Sequence, residues 1–314
     1  MFHMLQTLER EPQEDFTNQI FDASPASSRL PFDGSTVSKR ENPHKYLLYK
    51  PTFDQLYTFL SSGFKELPSG GATLIYISSD GCVCNSNQSA DIAFGFGGVV
   101  TNSRREPDYT NKAKWQGNTR DIHCLHPGDL YPFTRKPLFI IVDSDNSSAF
   151  QEWPNLFGQP LVCLLSPEQL PSTFQGQKQK GNLFTLFLHS VLTAFCYVCD
   201  ISKISISLWE KCQAHVDRFT AEASKLFTRS SSLDHCFMQF FGDDFLRVLL
   251  LRFIFCYVVL RLHRAFSGQQ FYPLSFPRIP QEEILDNLAL QKIVLELAST
   301  LEVGMLFHTT EELN

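Results

Sequence analysis

The apolar and polar positions follow two different patterns along the chain. Up to about residue 170, short continuous apolar runs alternate with stretches of helical spacing, and beyond Pro171 the apolar residues recur every three or four positions. Strands that alternate with helices are typical of a mostly parallel sheet. We therefore predict an α/β fold, in which a small, mostly parallel sheet with flanking helices is followed by a C-terminal all-helical layer.

Three apolar runs predict the strands of this sheet, because strands covered on both faces are apolar at nearly every position. The runs are Ala72–Ser78, Pro137–Asp143 and Pro160–Leu165. Before the first run, Thr52 and Gln55 form a capping-box pattern, in which each side chain satisfies a backbone N–H of the first helical turn. That pattern predicts a helix from about Phe53, and we expect a short helix from Ser147 to Trp153 between the second and third strands.

The helical layer is predicted from capping residues and apolar stripes. The segment Leu183–Val198 is apolar almost all round and should be buried, and Ser207 with Glu210 forms a second capping box. Gly242 separates two further helices, and the last helix runs from about Gln281 to Leu301. Three parts result: an N-terminal helix stub and mobile linker (residues 1–45), an α/β part (46–175), and a helical part packed on it (176–314).

Composition supports a folded intracellular protein. Hydrophobic residues make up 43% of the 314 residues and charged residues 19%, which is enough apolar surface for a packed core. The formal net charge is −6 and there is no dense Lys/Arg run, so we expect no direct binding to nucleic acid. The nine cysteines are an odd number and most lie in apolar segments, which favours buried thiols in a reducing compartment over a disulfide framework.

The segment Phe245–Leu262 raises the possibility of a membrane anchor, because it is long enough to span the hydrocarbon core of a bilayer. It carries Arg247, Arg252 and Arg261, and an arginine near the centre of a membrane span costs about 2.5–3.5 kcal/mol. We therefore expect a core helix with its arginines along one edge. Membrane association is the less favoured alternative.

One stretch of side chains suits a metal ion. Asp143-Ser-Asp-Asn-Ser147 follows a predicted strand, and its spacing is similar to the metal-binding loop of von Willebrand A domains, in which Asp and Ser oxygens hold magnesium. Asp143, Asp145 and Ser147 would be the ligands, since Mg²⁺ prefers oxygen. The same residue types also cap helices, and we favour a cap of the following helix over a metal site.

Three other groups are weaker candidates for chemistry. Cys196 and Cys199 have the CxxC spacing of redox sites, but they lie in an apolar helix without a nearby cation. The glycine cluster at residues 94–98 is not followed by a helix, as a dinucleotide loop would be, and it indicates a bend close to other backbone. A zinc site is the third possibility, with ligands from Cys82, Cys84, His123, Cys124 and His126. We predict no catalytic residue and no cofactor.

Six longer stretches have a recognisable sequence: Arg40–Phe53, Ile122–Asp143, Asn155–Ser166, Leu208–Gln213, Phe240–Arg247 and Leu290–Ser299. Together they resemble the C-terminal half of the SCAI (suppressor of cancer cell invasion) family. The resemblance implies a transcriptional corepressor, nuclear and also cytoplasmic, that inhibits myocardin-related transcription factor acting with serum response factor. It also implies a place downstream of Rho and a diaphanous-type formin, in cell migration and in the repair of DNA double-strand breaks. The resemblance implies no catalytic residues for this chain.

Two functions are therefore open at the level of sequence. The first is a non-catalytic protein-interaction module that serves transcriptional repression. The second is a metal- or nucleotide-binding α/β protein, because ligands bind at the carboxyl ends of strands in open α/β sheets and Asp143 lies at such an end.

Overall fold

A computed structural model describes residues 45–68, 70–82, 93–102, 124–175 and 182–309. The predicted N-terminal helix, and the predicted linker apart from Lys45, lie outside these residues. By its internal contacts the chain divides after Leu47, and the described residues from Leu48 onward form one unit. The predicted division of that unit into an α/β part and a helical part stays a prediction.

The described residues contain seven strands in two sheets. They are β1 (Thr73–Ser78), β2 (Gly81–Cys82), β3 (Gly98–Val100), β4 (Cys124–Leu125), β5 (Leu138–Asp143), β6 (Leu161–Leu165) and β7 (Leu274–Phe276). The first sheet has the order β1-β5-β6-β7, in which β1, β5 and β6 are parallel and β7 is antiparallel to β6. The second sheet, β2-β3-β4, is antiparallel. The three predicted strands are β1, β5 and β6, so the small, mostly parallel sheet is confirmed.

Helices make up most of the rest of the described chain. They are α1 (Phe53–Glu66), α2 (Pro127–Leu130), α3 (Ser172–Gln175), α4 (Leu183–His189), α5 (Val191–Val198), α6 (Ile206–Arg229), α7 (His235–Phe241), α8 (Asp244–Leu262) and α9 (Leu288–Thr300). Single 3-10 turns occupy Tyr131–Arg135, Ser147–Phe150, Gln269–Phe271 and Gly304–Leu306, and a π-helical turn occupies Gln281–Leu285. The predicted capping box of Thr52 and Gln55 is present at the start of α1, and the predicted helical character of the C-terminal region is confirmed.

The first sheet is covered on both faces, and every residue of β5 and β6 is buried. Alternate residues of β5, such as Leu138 and Ile140, belong to a cluster against which α1 packs. Because side chains alternate across a strand, Phe139 lies on the opposite face. There its ring meets Phe240 of α7 edge-on, with the centroids 5.4 Å apart. The core therefore extends from α1 through the sheet into the helical layer.

The start of α6 differs from the prediction. Its N-cap is Ser205, whose hydroxyl accepts the backbone N–H of Leu208 at 3.3 Å, so the predicted capping box of Ser207 and Glu210 is wrong. Both serines offer a hydroxyl oxygen before the same apolar stripe. The earlier serine caps the helix, and Ser207 lies within the first turn.

Two other helices are shorter than expected. The predicted last helix is interrupted after its π-helical turn, and α9 begins after Asn287, whose side chain accepts the N–H of Ala289 at 2.9 Å. The helix expected from Ser147 to Trp153 is a single 3-10 turn. The next residue after Trp153 is Pro154, which has no backbone N–H to continue a helix, and the Trp153 indole N–H donates to the Phe150 carbonyl at 2.7 Å.

The apolar segment Leu183–Val198 is largely buried, as predicted, but it forms two helices. The backbone is extended at Ser190, between α4 and α5, with φ −146° and ψ 92°. Arg252 of α8 lies at this break. Its guanidinium nitrogen Nη1 donates to the carbonyls of Leu188 and His189, at 2.9 Å each, and so caps the C-terminal end of α4.

The 19-residue helix α8 corresponds to the segment considered as a membrane span. Most of its residues are buried within the protein, and the guanidinium of Arg261 lies 5.5 Å from the ring centroid of Tyr272. The expectation of a core helix is confirmed. Across the ranges that the structure describes, no helix has the length and apolar character needed to cross a bilayer.

Candidate functional site at the carboxyl edge of the sheet

The parallel strands bring their carboxyl ends together at one edge of the first sheet. Ser78 ends β1, Asp143 ends β5 and Leu165 ends β6, and the register pairs Ser78 with Asp143. The loop that follows β5, residues 144–146, lies between this sheet and the second sheet, and Asp143 before it contacts helix α4. The carboxyl edge is where ligands bind in open α/β sheets, so each of its polar groups is a candidate.

Asp143 accepts a hydrogen bond from a side chain of the helical layer. The hydroxyl of Thr185, in the first turn of α4, donates to its carboxylate oxygen Oδ2. The phenol oxygen of Tyr76, on β1, lies 2.7 Å from the Thr185 hydroxyl oxygen. Because the Thr185 proton is directed at Asp143, Tyr76 donates its own proton to Thr185. The three groups form one chain of hydrogen bonds across the sheet and the helix.

Burial governs the protonation of this chain. Loss of water raises the pKa of Asp143 above its ordinary value of 3.8, and the hydrogen bonds with Thr185 and Asn182 offset this only in part. The pKa of Tyr76 is raised in turn, first by burial and then by the charge of Asp143. Both groups are therefore held towards their protonated forms, and each is hydrogen-bonded to Thr185 within the protein.

Asp145 and Asn146 connect the two sheets. The carboxylate of Asp145 accepts the backbone N–H of Gly81, on β2, at 2.5 Å. The side-chain amide nitrogen of Asn146 lies 3.0, 3.2 and 3.1 Å from the carbonyl oxygens of Cys82, Phe96 and Gly98. An amide carries two hydrogens, so the three carbonyls share them. We call this contact the Asn146 junction.

The serines beside the loop extend the pairing of β5 with β6 beyond the strands. The N–H of Ser144 donates to the hydroxyl of Ser166 at 3.0 Å, and that hydroxyl donates to the Ser144 carbonyl at 2.9 Å. The hydroxyl of Ser147 donates to the Ser166 carbonyl at 2.7 Å. These buried hydroxyls therefore satisfy backbone groups that the strands leave unpaired.

Each of the three candidate metal ligands contacts a different partner within the protein. Asp143 contacts Thr185, Asp145 contacts Gly81, and Ser147 contacts Ser166. In the part of the chain that the structure describes, no three His, Cys, Asp or Glu side chains come together as metal ligands. The capping interpretation is wrong, because Asn146 occupies the N-cap position of the 3-10 turn and makes no side-chain cap. The magnesium site stays a prediction.

The cysteine candidates divide into two groups. Burial raises the pKa of Cys196 to about 11 and that of Cys199 to about 12, so the CxxC pair lacks the thiolate that redox chemistry requires. The eight cysteines in the described ranges are free, and Cys82 and Cys124 lie on β2 and β4. His126 is buried, with its ring nitrogen Nδ1 3.0 Å from the Gly97 carbonyl oxygen. Cys84 and His123, the other two ligands considered for zinc, lie outside the described residues.

The glycine cluster forms the predicted bend close to other backbone. Gly97 has a φ of +80°, which favours glycine, and its N–H donates to the Phe94 carbonyl at 3.4 Å. A Cβ on Gly98 would overlap the carbonyl of Leu125 on β4. The cluster therefore allows β3 and β4 to approach, and it has a structural role.

A surface loop that the sequence did not indicate follows Trp153. Residues 154–159 are exposed at every position. Two hydrogen bonds lie within the loop: the side-chain oxygen of Asn155 accepts the N–H of Gly158 at 2.9 Å, and the N–H of Leu156 donates to the Pro154 carbonyl at 3.0 Å. Gly158 has a φ of +65°, a conformation that favours glycine.

This loop holds two apolar side chains in solvent. Leu156 is 50% exposed and Phe157 is 43% exposed. The guanidinium of Arg135 lies over the Phe157 ring, 5.0 Å from its centroid. The only sequence signal was an apolar pair between turn-forming residues, which does not distinguish an exposed pair from a buried one.

Comparison with known proteins identifies the family. The family model described as Protein SCAI matches residues 1–266 of the chain. The proteins named Protein SCAI from Mus musculus and Homo sapiens are each 50% identical to the chain over 310 residues, which is 98% of the chain and 50% of each relative. The Protein SCAI homolog of Dictyostelium discoideum is 29% identical, over 87% of the chain and 46% of that relative.

No solved structure matches the chain. The chain spans about half the length of the curated relatives that it matches. The family model covers most of the chain and two relatives share half of their aligned residues with it, as the resemblance of the six stretches led us to expect. The chain belongs to the SCAI family.

Proposed function

We propose that the chain is a non-catalytic protein-interaction module that acts as a transcriptional corepressor. In this role it inhibits transcription driven by myocardin-related transcription factor with serum response factor, within Rho signalling and cell migration, downstream of a diaphanous-type formin. Membership in the SCAI family supports the proposal. We propose a nuclear and also cytoplasmic protein that binds no nucleic acid directly, which the net charge of −6 supports.

The proposed interaction role is supported by a contrast between polar side chains that are bonded within the protein and apolar side chains that are exposed to solvent. The polar groups at the carboxyl edge, Asp143 and Asn146 among them, are bonded to other parts of the protein. Leu156 and Phe157 are instead exposed on a loop with internal hydrogen bonds, with Arg135 over the aromatic ring. Aromatic and arginine side chains dominate the binding energy of many protein interfaces, so we assign the partner contact to this loop.

Binding of purified partners to the folded chain tests the proposal. Myocardin-related transcription factor and serum response factor are each titrated onto the immobilised chain, and we expect at least one of them to bind. The double variant Leu156→Ser with Phe157→Ser should bind about tenfold more weakly, because it removes both exposed apolar side chains. Leu288→Ser is the matched control, since Leu288 is 58% exposed on α9.

Two results would contradict different parts of the proposal. If the folded chain binds neither transcription factor, the corepressor function is wrong. If the chain binds and the double variant binds equally well, the function stands and the contact surface lies elsewhere.

A further inference from the structure

The turn between α6 and α7 is held by a single carboxylate. The hydroxyl of Ser230 donates to Oε2 of Glu283 at 2.5 Å, and the hydroxyl of Ser232 donates to Oε1 of the same side chain. These two bonds are the main reason why the pKa of Glu283 is lowered. Glu283 belongs to the π-helical turn before α9, so this contact, which we call the serine–glutamate clasp, joins segments that are far apart in sequence.

The clasp is accessible from solvent. Ser231 and Ser232 are exposed, and Arg229, three residues before Ser232, is exposed at the end of α6. Within the described ranges the Arg229 guanidinium has no hydrogen-bond or ion-pair partner. An arginine at this spacing is a substrate feature of protein kinases that prefer basic residues, because their substrate grooves carry carboxylates that pair with it.

We propose that Ser232 is a phosphorylation site for a protein kinase of this basic-residue-directed class, and that its phosphate opens the serine–glutamate clasp. In the reaction, the Ser232 hydroxyl oxygen attacks the γ-phosphorus of MgATP. The bond from that phosphorus to the β–γ bridging oxygen breaks, and ADP leaves with the electron pair. The hydroxyl proton passes to the catalytic aspartate of the kinase.

Phosphorylation inverts the interaction at the clasp. The Ser232 hydroxyl is a donor to the Glu283 carboxylate, whereas a phosphate ester at neutral pH is an acceptor that carries a charge of about −1.5 to −2. The phosphate and the carboxylate therefore repel each other. The Asn287 side chain donates to the Glu283 carbonyl at 3.2 Å and also caps α9, so movement of Glu283 reaches the start of that helix.

The first test asks whether the folded turn is a substrate. The full 314-residue chain is incubated with the catalytic subunit of cyclic-AMP-dependent protein kinase and MgATP, and the phosphate is located by peptide mass spectrometry. We expect phosphate on Ser232, and an initial rate about tenfold lower for Arg229→Ala, which removes one charge-assisted pair. Absence of phosphate on Ser232 overturns the site, whether or not a synthetic peptide of residues 226–235 is modified.

The second test asks whether the phosphate opens the clasp. Amide hydrogen exchange of residues 281–287 is compared between the phosphorylated and unmodified chains, with kinase-treated Ser232→Ala as the control. We expect exchange about threefold faster after phosphorylation, as for the loss of an exposed charged contact. In Glu283→Gln, which has no carboxylate to repel, phosphorylation should leave exchange unchanged. Equal exchange in the phosphorylated and unmodified wild-type chains overturns the opening.

Discussion

At the residue scale, Asp143 is a buried carboxylate whose donor side chains are neutral. Thr185 and Asn182 stabilise its charge, but burial outweighs them and raises its pKa. An aspartate in an ion pair behaves in the opposite way, because a nearby cation lowers its pKa. The folded chain therefore holds the Asp143 proton more tightly than the unfolded chain does.

The raised pKa of Asp143 predicts a pH dependence of stability. Its contribution to the free energy of unfolding is greatest below its ordinary pKa of 3.8 and falls as pH rises through the higher, folded pKa. The variant Asp143→Asn has no proton to lose, so we expect the stability of the wild type relative to this variant to decrease between about pH 4 and pH 7.

Urea unfolding of both proteins across that range measures the difference. Asp145→Asn is the control for the loss of a nearby carboxylate, because Asp145 is exposed whereas Asp143 is buried. A wild-type advantage over Asp143→Asn that grows with pH would contradict the assignment.

Part of this site could be predicted from the sequence. An apolar run that ends in Asp143 indicates a carboxylate at the carboxyl edge of a sheet. The sequence does not indicate that its partner is Thr185, 42 residues further on, because that contact depends on how the helical layer packs. Asp145 and Asn146 were likewise recognisable as polar loop residues, but their partners lie on the second sheet, whose strands are too short for a periodic pattern.

At the element scale, α4 is a seven-residue helix that residues from other elements hold at both ends. Asp143 bonds to its first turn through Thr185, and Arg252 bonds to its last carbonyls. A cation at the C-terminus of a helix is also the charge that the helix dipole favours there. Such a short helix is marginal by itself, so these tertiary contacts decide its ends.

Removal of the Arg252 guanidinium should destabilise the protein. Arg252→Met keeps most of the side-chain stem but leaves the carbonyls of Leu188 and His189 without the donor that Arg252 provides. We expect the free energy of unfolding to fall by about 2 kcal/mol. Arg247→Met, on the same helix, removes a pair with the exposed Asp244 and two long contacts with Phe241, 3.5 Å to its carbonyl oxygen and 6.0 Å to its ring centroid, and should cost under about 1 kcal/mol. Chemical denaturation compares the two, and equal losses would argue against the cap.

Local sequence patterns predicted where helices and strands occur better than they predicted the breaks within the helices. The capping box at Thr52 was correct because all of its atoms come from one helical turn. The break at Ser190 was not predictable, because α8 supplies the donor that satisfies it. The restart of α9 at Asn287 had a local signal, an Asn before an apolar run, which the longer apolar stripe obscured.

At the scale of the whole molecule, the C-terminal region contributes to the sheet as well as to the helical layer. β7 pairs with β6 through Cys163, Leu164 and Leu165, although more than one hundred residues separate the two strands. A three-residue strand among helices carries no period that the sequence could reveal. The parallel strands were predictable because both of their faces are buried, which makes them apolar throughout.

This arrangement predicts that the α/β part does not fold alone. A chain of residues 46–175 would lack β7 and would expose the sheet face on which Phe139 meets Phe240. We expect it to show no cooperative urea transition and to bind a hydrophobic dye, whereas the full chain unfolds in a single transition. Cooperative unfolding of the 46–175 chain with an ordered near-ultraviolet spectrum would contradict this expectation.

The Asn146 junction also affects the rate of a chemical reaction of Asn146, its deamidation. Asparagine is thermolabile because the following backbone nitrogen can attack its side-chain carbonyl and expel ammonia. In the folded protein that nitrogen, on Ser147, donates to the Ser144 carbonyl at 3.3 Å and is withheld from the attack. A chain that opens here loses this protection. The attack leaves a cyclic imide, which water hydrolyses to a carboxylate, and that carboxylate has no hydrogen to donate to the three carbonyl oxygens of the junction. Deamidation of Asn146 therefore requires local opening of the loop. The free energy of that opening sets the rate at which the protein is irreversibly modified.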